Sequence, residues 1–246
     1  MRASEFFSHE TAALLWGAPL PLIHDSDVHV TTFRGDAAPR SSGVHGHRVN
    51  QTLATVTEHG GFRVASPAST WAMLGRLSLF DLVAVGDYFA RVWREDGYFR
   101  VNGGMPPLAT LDDLASAVGA GRRVGIRSLR QALPLIRTDA WSHTETCTRL
   151  TITRADLPEP VLNRDQYDAF GAHLGCIDLA YPEFKVAIEY QGQHHGAQYA
   201  EDIDHIELLR AHGWIVIQVT SSLLYNDPAE LVRRVRSALT ERGWRA

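Results

Sequence analysis

The sequence predicts an α/β protein in two parts, a small α+β domain over residues 1–140 and a domain of mixed helices and strands over 141–246. Three observations carry this. The chain has 246 residues, 45% hydrophobic and 21% charged, which is room and apolar content for two ordinary domains with cores. The first half changes from strand-like alternation to helical periodicity at Pro67. After the polar stretch TDAWSHTE (138–145), the pattern reads helix, three-strand meander, helix, strand, helix.

Taken in order, SHETAALLWG (8–17) predicts a short helix with Ser8 as N-cap and Gly17 just past its end. DVHVTTF (27–33) alternates as a strand, GDAAPRSSG is a turn-rich loop, and VHGHR (44–48) and FRVAS (62–66) are short β-like pieces. PASTWAMLGRL places Trp71, Leu74 and Leu77 on one helical face. SLFDLVAVGDYFARVW opens with Ser78 and Asp81 in capping-box spacing and offers Leu82, Val85, Phe89 and Val92 to a core. LDDLASAV and SLRQALPLI complete the half as short helices.

In the second half, residues 145–155 are ambiguous. Leu150 and Ile152 alternate as in a strand, while Ser142-x-x-Glu145 is a helix-start signal. LPEPVLN reads as a loop, and DQYDAF, GCIDLAY and KVAIEYQG as strands. YAEDIDHIELLRAHG is a helix with Ile203, Ile206 and Leu209 inward and Gly213 closing it. WIVIQVT (214–220) is a buried strand, and PAELVRRVRSAL a last helix capped by Asp227, with Pro228 at its first position.

Bulk properties exclude several classes. No apolar run approaches the ~20 residues that span a bilayer, and Glu5, His9 and Glu10 interrupt the N-terminal apolar stretch that a secretion signal needs. The two cysteines, Cys147 and Cys176, form no CxxC, so neither a disulfide framework nor a zinc ribbon is indicated. A soluble, cytoplasmic protein without a membrane partner is expected. The net charge of -4 excludes a generally basic nucleic-acid coat. Charge is uneven, however: GRRVGIRSLRQALPLIR (121–137) has five arginines and no acid, and LVRRVRSALTERGWR (231–245) sets its arginines against one glutamate. Such stripes suit phosphate contact, or equally a solvated helix face.

The stretch CIDLAYPEFKVAIEYQGQHH (176–195) holds the chemistry. A register symmetric about Glu183 and Phe184 pairs Val186 with Tyr181, Ile188 with Leu179, and Tyr190 with Ile177 on one apolar face. The other face pairs Ala187 with Ala180, Gln191 with Cys176, and between them Glu189 with Asp178. Opposed residues have Cβ atoms about 4.5–5.5 Å apart, where like charges repel. A divalent cation with a preference for hard oxygen ligands, Mg²⁺ or Mn²⁺, relieves that repulsion. Decoration of a solvated sheet face is the plainer reading. Gln191, on the same face, can orient a water or a phosphate oxygen.

Asp178, a turn, then Glu189-x-Gln191 with Gly192 and a trailing His195 resembles the core of the PD-(D/E)XK nuclease superfamily, in particular very-short-patch-repair-like endonucleases. The resemblance spans roughly residues 142–243. The first half, through SHETAALLWG and RVASPASTW, more weakly resembles winged-helix-containing, abortive-infection-antitoxin-like regions. The resemblance implies a restriction-endonuclease-like mixed sheet flanked by helices, a winged-helix-like N-terminal domain, DNA as partner, and Mg²⁺- or Mn²⁺-dependent phosphodiester hydrolysis. It implies Asp178, Glu189 and the Tyr190 carbonyl as metal ligands, and Gln191 as a catalytic position where the family usually has lysine. It also implies Glu145 as a helix-borne acid completing the site; a capping-box glutamate bonding the Ser142 N–H is the alternative. His194 and His195 would activate water or protonate the leaving group, or form an exposed polar turn. An amide at 191 supplies a dipole where lysine supplies charge, which leaves open a DNA-binding, antitoxin-like regulator without turnover. His205 reads as a surface residue, and Trp214 and Trp244 as packing aromatics.

Overall fold

Two mixed sheets flanked by helices organise the chain, one in each of two units: Met1–Val92 with Met105–Thr138, and Trp93–Gly104 with Asp139–Ala246. The computed structural model describes residues 2–21, 27–93, 103–191 and 197–245, with backbone alone for 197–201. Among these, no helix is long and apolar enough to cross a membrane.

In the first unit, β1 (Glu5–Phe7) leads into α1 (His9–Leu15), followed by β2 (Val28–Phe33), β3 (Val44–Val49), β4 (Val56–His59) and β5 (Phe62–Ala65). The sheet order is β3-β2-β1-β5-β4, with β2–β3 and β1–β5 parallel and the other pairs antiparallel. Strands β1 and β4 are too short for their alternation to stand out in the sequence. Helices α2 (Pro67–Met73), α3 (Leu79–Ala90), α4 (Leu111–Gly119) and α5 (Ile126–Ala132) follow. Their starts obey local chemistry. Ser66 caps α2, Ser78 accepts from the Asp81 N–H, and Thr110 with Asp113 forms a complete capping box on α4. Trp71 is fully buried, its indole N–H satisfied by the Leu82 carbonyl at 2.8 Å. Ser8 precedes α1 without capping it through its side chain. Its hydroxyl instead accepts from Thr31 Oγ1 at 2.6 Å and lies 2.9 Å from His9 Nδ1.

The second unit contains α6 (His143–Thr153), β6 (Val161–Tyr167), β7 (His173–Tyr181), β8 (Val186–Tyr190), α7 (Ala197–Ala211), β9 (Ile215–Val219), α8 (Ser221–Tyr225) and α9 (Pro228–Glu241). The ambiguous segment is therefore a helix, started by the Ser142 hydroxyl accepting from the Glu145 N–H at 3.1 Å. LPEPVLN yields its last three residues to β6, which begins directly after Pro160. The order β6-β7-β8-β9 is antiparallel until β8–β9, which run parallel because α7 carries the chain across between them. Leu209 of α7 and Trp214 pack on Ala180, Ala187, Ile177 and Leu174. Helices α6 and α9 pack together, α6 also on β7 and α9 on β9. Gly213 adopts φ +82 and ends α7.

Two inward residues are corrected: Val92 is 42% exposed, because α3 ends at Ala90, and Ile203 is 39% exposed. The buried stripe of α7 instead runs through Ile206 and Leu209, with Asp202 and His205 sharing its i, i+3, i+4, i+7 spacing.

The arginine stripes are largely tied into the fold. Arg123 donates to the Leu53 and Ala117 carbonyls, Arg233 and Arg234 both bind Glu230, Arg236 reaches the Ala155 carbonyl, and Arg242 that of Gly213. Arg127 and Arg130 on α5 are exposed. Trp214 is buried, and the Arg236 guanidinium lies 5.9 Å from the Trp244 ring centre.

Candidate functional site

The β7–β8 hairpin sets the site. Its observed pairs are Tyr181 with Val186, Ala180 with Ala187, and Leu179 with Ile188. Continuing that register puts Asp178 opposite Glu189, with small residues beside them. The ladder stops there for a visible reason. Gln191 N–H bonds the Val219 carbonyl at 2.8 Å, so odd residues of β8 point their amides at β9 and even ones at β7. The Tyr190 N–H consequently faces β7, but it donates to Asp178 Oδ2 at 2.9 Å. A side-chain carboxylate has replaced the strand as acceptor. By the same strand alternation the Tyr190 carbonyl faces the β7 side.

The neighbouring strands extend this into a polar row. Glu189 pairs with Gln218 of β9. On β6, Asn163 falls between the pairs Leu162–Leu179 and Arg164–Ile177, in line with Asp178. Asn163 is buried, has φ +44, and donates through Nδ2 to the Asp139 carbonyl at 2.8 Å and to Glu145 Oε2. Glu145 is itself buried and also accepts from the Trp141 N–H at 2.9 Å. The expected bond to the Ser142 N–H is thus replaced by one to the preceding amide, and the same carboxylate reaches toward the sheet.

Asp178 and Glu189 share an electrostatic burden. Removal from water, then the charges of Glu189 and Glu145, push Asp178 well above the usual carboxylate range, against the pull of the Tyr190 N–H. Removal from water also raises Glu189, opposed by His205 and the Asp178 backbone amide. Asp202 adds repulsion to both. Glu189 Oε1 is buried without a hydrogen bond, and its nearest cationic group is His205 Nε2 at 3.5 Å.

His205 is therefore corrected from a surface residue to a member of the site. Its side chain is 25% exposed, and the partnership with Glu189 raises its pKa against the opposing effect of burial. Gly175 makes the approach possible: a Cβ there would lie 2.2 Å from the His205 ring. Compared with known proteins, the chain matches no family model, no curated protein and no solved structure.

Of the residues expected from sequence, Asp178, Glu189 and Tyr190 meet directly, and Glu145 approaches through Asn163. Gln191 follows β8 and is half-buried, its amide N–H committed to β9. His194 and His195 lie outside the described residues. Asp202, His205 and Asn163 were missed. The two on α7 carry one available signal, their helical spacing with the buried Ile206 and Leu209.

Two carboxylates with raised pKa values, one with an orphaned oxygen, are oxygen donors of the class a hard divalent cation takes. A cation between them would relieve the repulsion that otherwise favours keeping a proton there.

Proposed function

We propose that the second unit is a restriction-endonuclease-like, PD-(D/E)XK-type domain that hydrolyses DNA phosphodiester bonds with Mg²⁺ or Mn²⁺. The first unit, read as winged-helix-like, provides duplex contact together with exposed arginines such as Arg127 and Arg130. One observation carries this reading: two partly buried carboxylates are set opposite each other across a hairpin, Glu189 with an unsatisfied oxygen, and no lysine or arginine stands beside them among the described residues. A sheet face built only for solubility has no use for that repulsion.

Asp178, Glu189 and the Tyr190 carbonyl would hold the ion, which supplies charge for the scissile phosphate and a lowered pKa for an attacking water. The Tyr190 N–H holds the Asp178 carboxylate in place. Glu145, bonded by Trp141 and Asn163, contributes fixed negative charge behind Asp178. Gln191 orients a phosphate oxygen or water with its amide. His205 brings from α7 the positive charge that the amide at 191 lacks, and its imidazole can take up or give a proton.

Gln191 also favours a second reading, a nuclease-fold DNA binder or antitoxin-like regulator with little or no turnover. Incubating the full chain with supercoiled, linear and single-stranded DNA, with and without Mg²⁺ or Mn²⁺, separates the two. Metal-dependent cleavage that disappears in Glu189→Gln supports the nuclease. DNA binding with no cleavage under any metal supports the regulator.

A further inference from the structure

The first unit holds a separate cluster of metal-ligating side chains. Strands β2 and β3 run parallel with His29 paired to His45 and Thr31 to His47. Alternation along each strand therefore sets His29, His45 and His47 on one face. His9, the first residue of α1, lays its ring on that of His47 with centroids 3.9 Å apart. One ligand nitrogen from each of His9, His29 and His47 lies within 4.8 Å of the other two, and His29 Nδ1 is 3.0 Å from His47 Nε2. We propose that His9, His29 and His47 bind one Zn²⁺ ion, with Glu10 as the adjoining carboxylate.

The donor type selects the metal. Three imidazoles suit zinc and its neighbours in the first row, whereas Mg²⁺ and Ca²⁺ take oxygens. Ligands at about 2.0–2.1 Å from a tetrahedral zinc stand roughly 3.3 Å from one another. The His29–His47 separation is near that value already, and His9 closes the third corner by a modest ring movement.

Two further observations distinguish this from simple ring stacking. Glu10 Oε2 is buried, has no hydrogen-bond partner, and lies 3.4 Å from His29 Nδ1. It places negative charge where a dication needs it and where stacked neutral rings do not. His9 also holds φ +49, a conformation that costs energy for a side-chain-bearing residue and persists only when its surroundings impose it. The surroundings are specific. The fully buried Ser8 and Thr31 form a hydroxyl relay, with Thr31 donating to Ser8 and Ser8 Oγ 2.9 Å from His9 Nδ1. A ligating histidine is commonly oriented in this way through its other ring nitrogen, leaving Nε2 for the metal.

The ion would tie the start of α1 to β2 and β3, three elements distant in sequence. It is independent of the carboxylate pair in the second unit.

The test is a Zn²⁺ titration of the metal-stripped full chain against a chromophoric chelator, with metal content measured after dialysis. The parent should bind one zinc per chain with submicromolar affinity, and Co²⁺ in its place should give the visible absorption of a tetrahedral site. His29→Gln and His47→Gln should each weaken binding about 100-fold or more, as expected when a ligand is lost. His45→Gln and Asp178→Asn should retain zinc within a few-fold. Circular dichroism of each variant checks that the fold survives. A parent chain that holds no stoichiometric zinc would overturn the proposal, even if the histidine variants unfold. So would zinc binding that survives His47→Gln but vanishes with Asp178→Asn.

Discussion

His205 Nε2 stands 3.5 Å from Glu189 Oε1, and neither atom has a hydrogen bond of normal geometry. The contact joins α7 to the centre of the sheet through a group whose charge depends on pH. It makes the imidazolium the natural counter-charge for Glu189 when no metal is bound.

If His205 substitutes for the lysine missing at 191, His205→Gln should lower the Mg²⁺-dependent cleavage rate about 10- to 100-fold, in line with the loss of an acid–base or charged group. Adding Gln191→Lys should recover part of that rate. The pH–rate profiles of parent and His205→Gln decide the matter: the parent's alkaline limb, set by the raised histidine pKa, should vanish in the variant. Identical profiles would remove His205 from the chemistry.

Asp178→Asn and Glu189→Gln should each abolish metal-dependent cleavage, a loss of about 100-fold or more. They should also change stability in a defined direction. Both carboxyls have folded pKa values above their unfolded ones, so the stability they contribute is complete below the ordinary carboxylate range and is lost as pH rises through the raised values. Metal-free Asp178→Asn should therefore melt a few degrees above the parent at pH 8 and gain less at pH 4. Mg²⁺ should raise the melting temperature of the parent and leave Glu189→Gln unmoved.

Gly175 adopts φ +118, and a Cβ there would fall 2.2 Å from the His205 ring. Gly175→Ala should cost about 1–3 kcal/mol through backbone strain and overpacking. Because the displaced ring leaves Glu189, cleavage should fall alongside stability. Denaturant unfolding and cleavage rates, measured on one preparation, test the linkage; a loss of stability with full activity would contradict it.

In the first unit, burial and then the charges of the neighbouring imidazoles lower His9 to about 3, and burial with His29 and His45 lowers His47 to about 4. With folded values below the unfolded one, the unfolded chain binds more protons as the medium is acidified. Stability is then present above about pH 6.5 and falls progressively toward about pH 3. The zinc-free protein should show this acid lability in thermal melts, and His47→Gln should flatten it.

The sequence by itself determined what depends on near neighbours. The hairpin register follows from two alternating runs around one turn, which is enough to set Asp178 against Glu189. The helix starts at Ser78 and Ser142 follow from single side chains bonding amides three residues on. Only the tertiary structure decided which distant groups complete each site. His205 and Asp202 turn inward because α7 buries Ile206 and Leu209, and a hydropathy pattern counts polar residues on that stripe as solvent-facing. Asn163 bonds Glu145 and lies in line with Asp178 only because β6 pairs with β7 beside α6. The imidazoles of His9, His29 and His47 meet only after β2 and β3 pair in parallel beside α1, a long-range choice that no local alternation encodes.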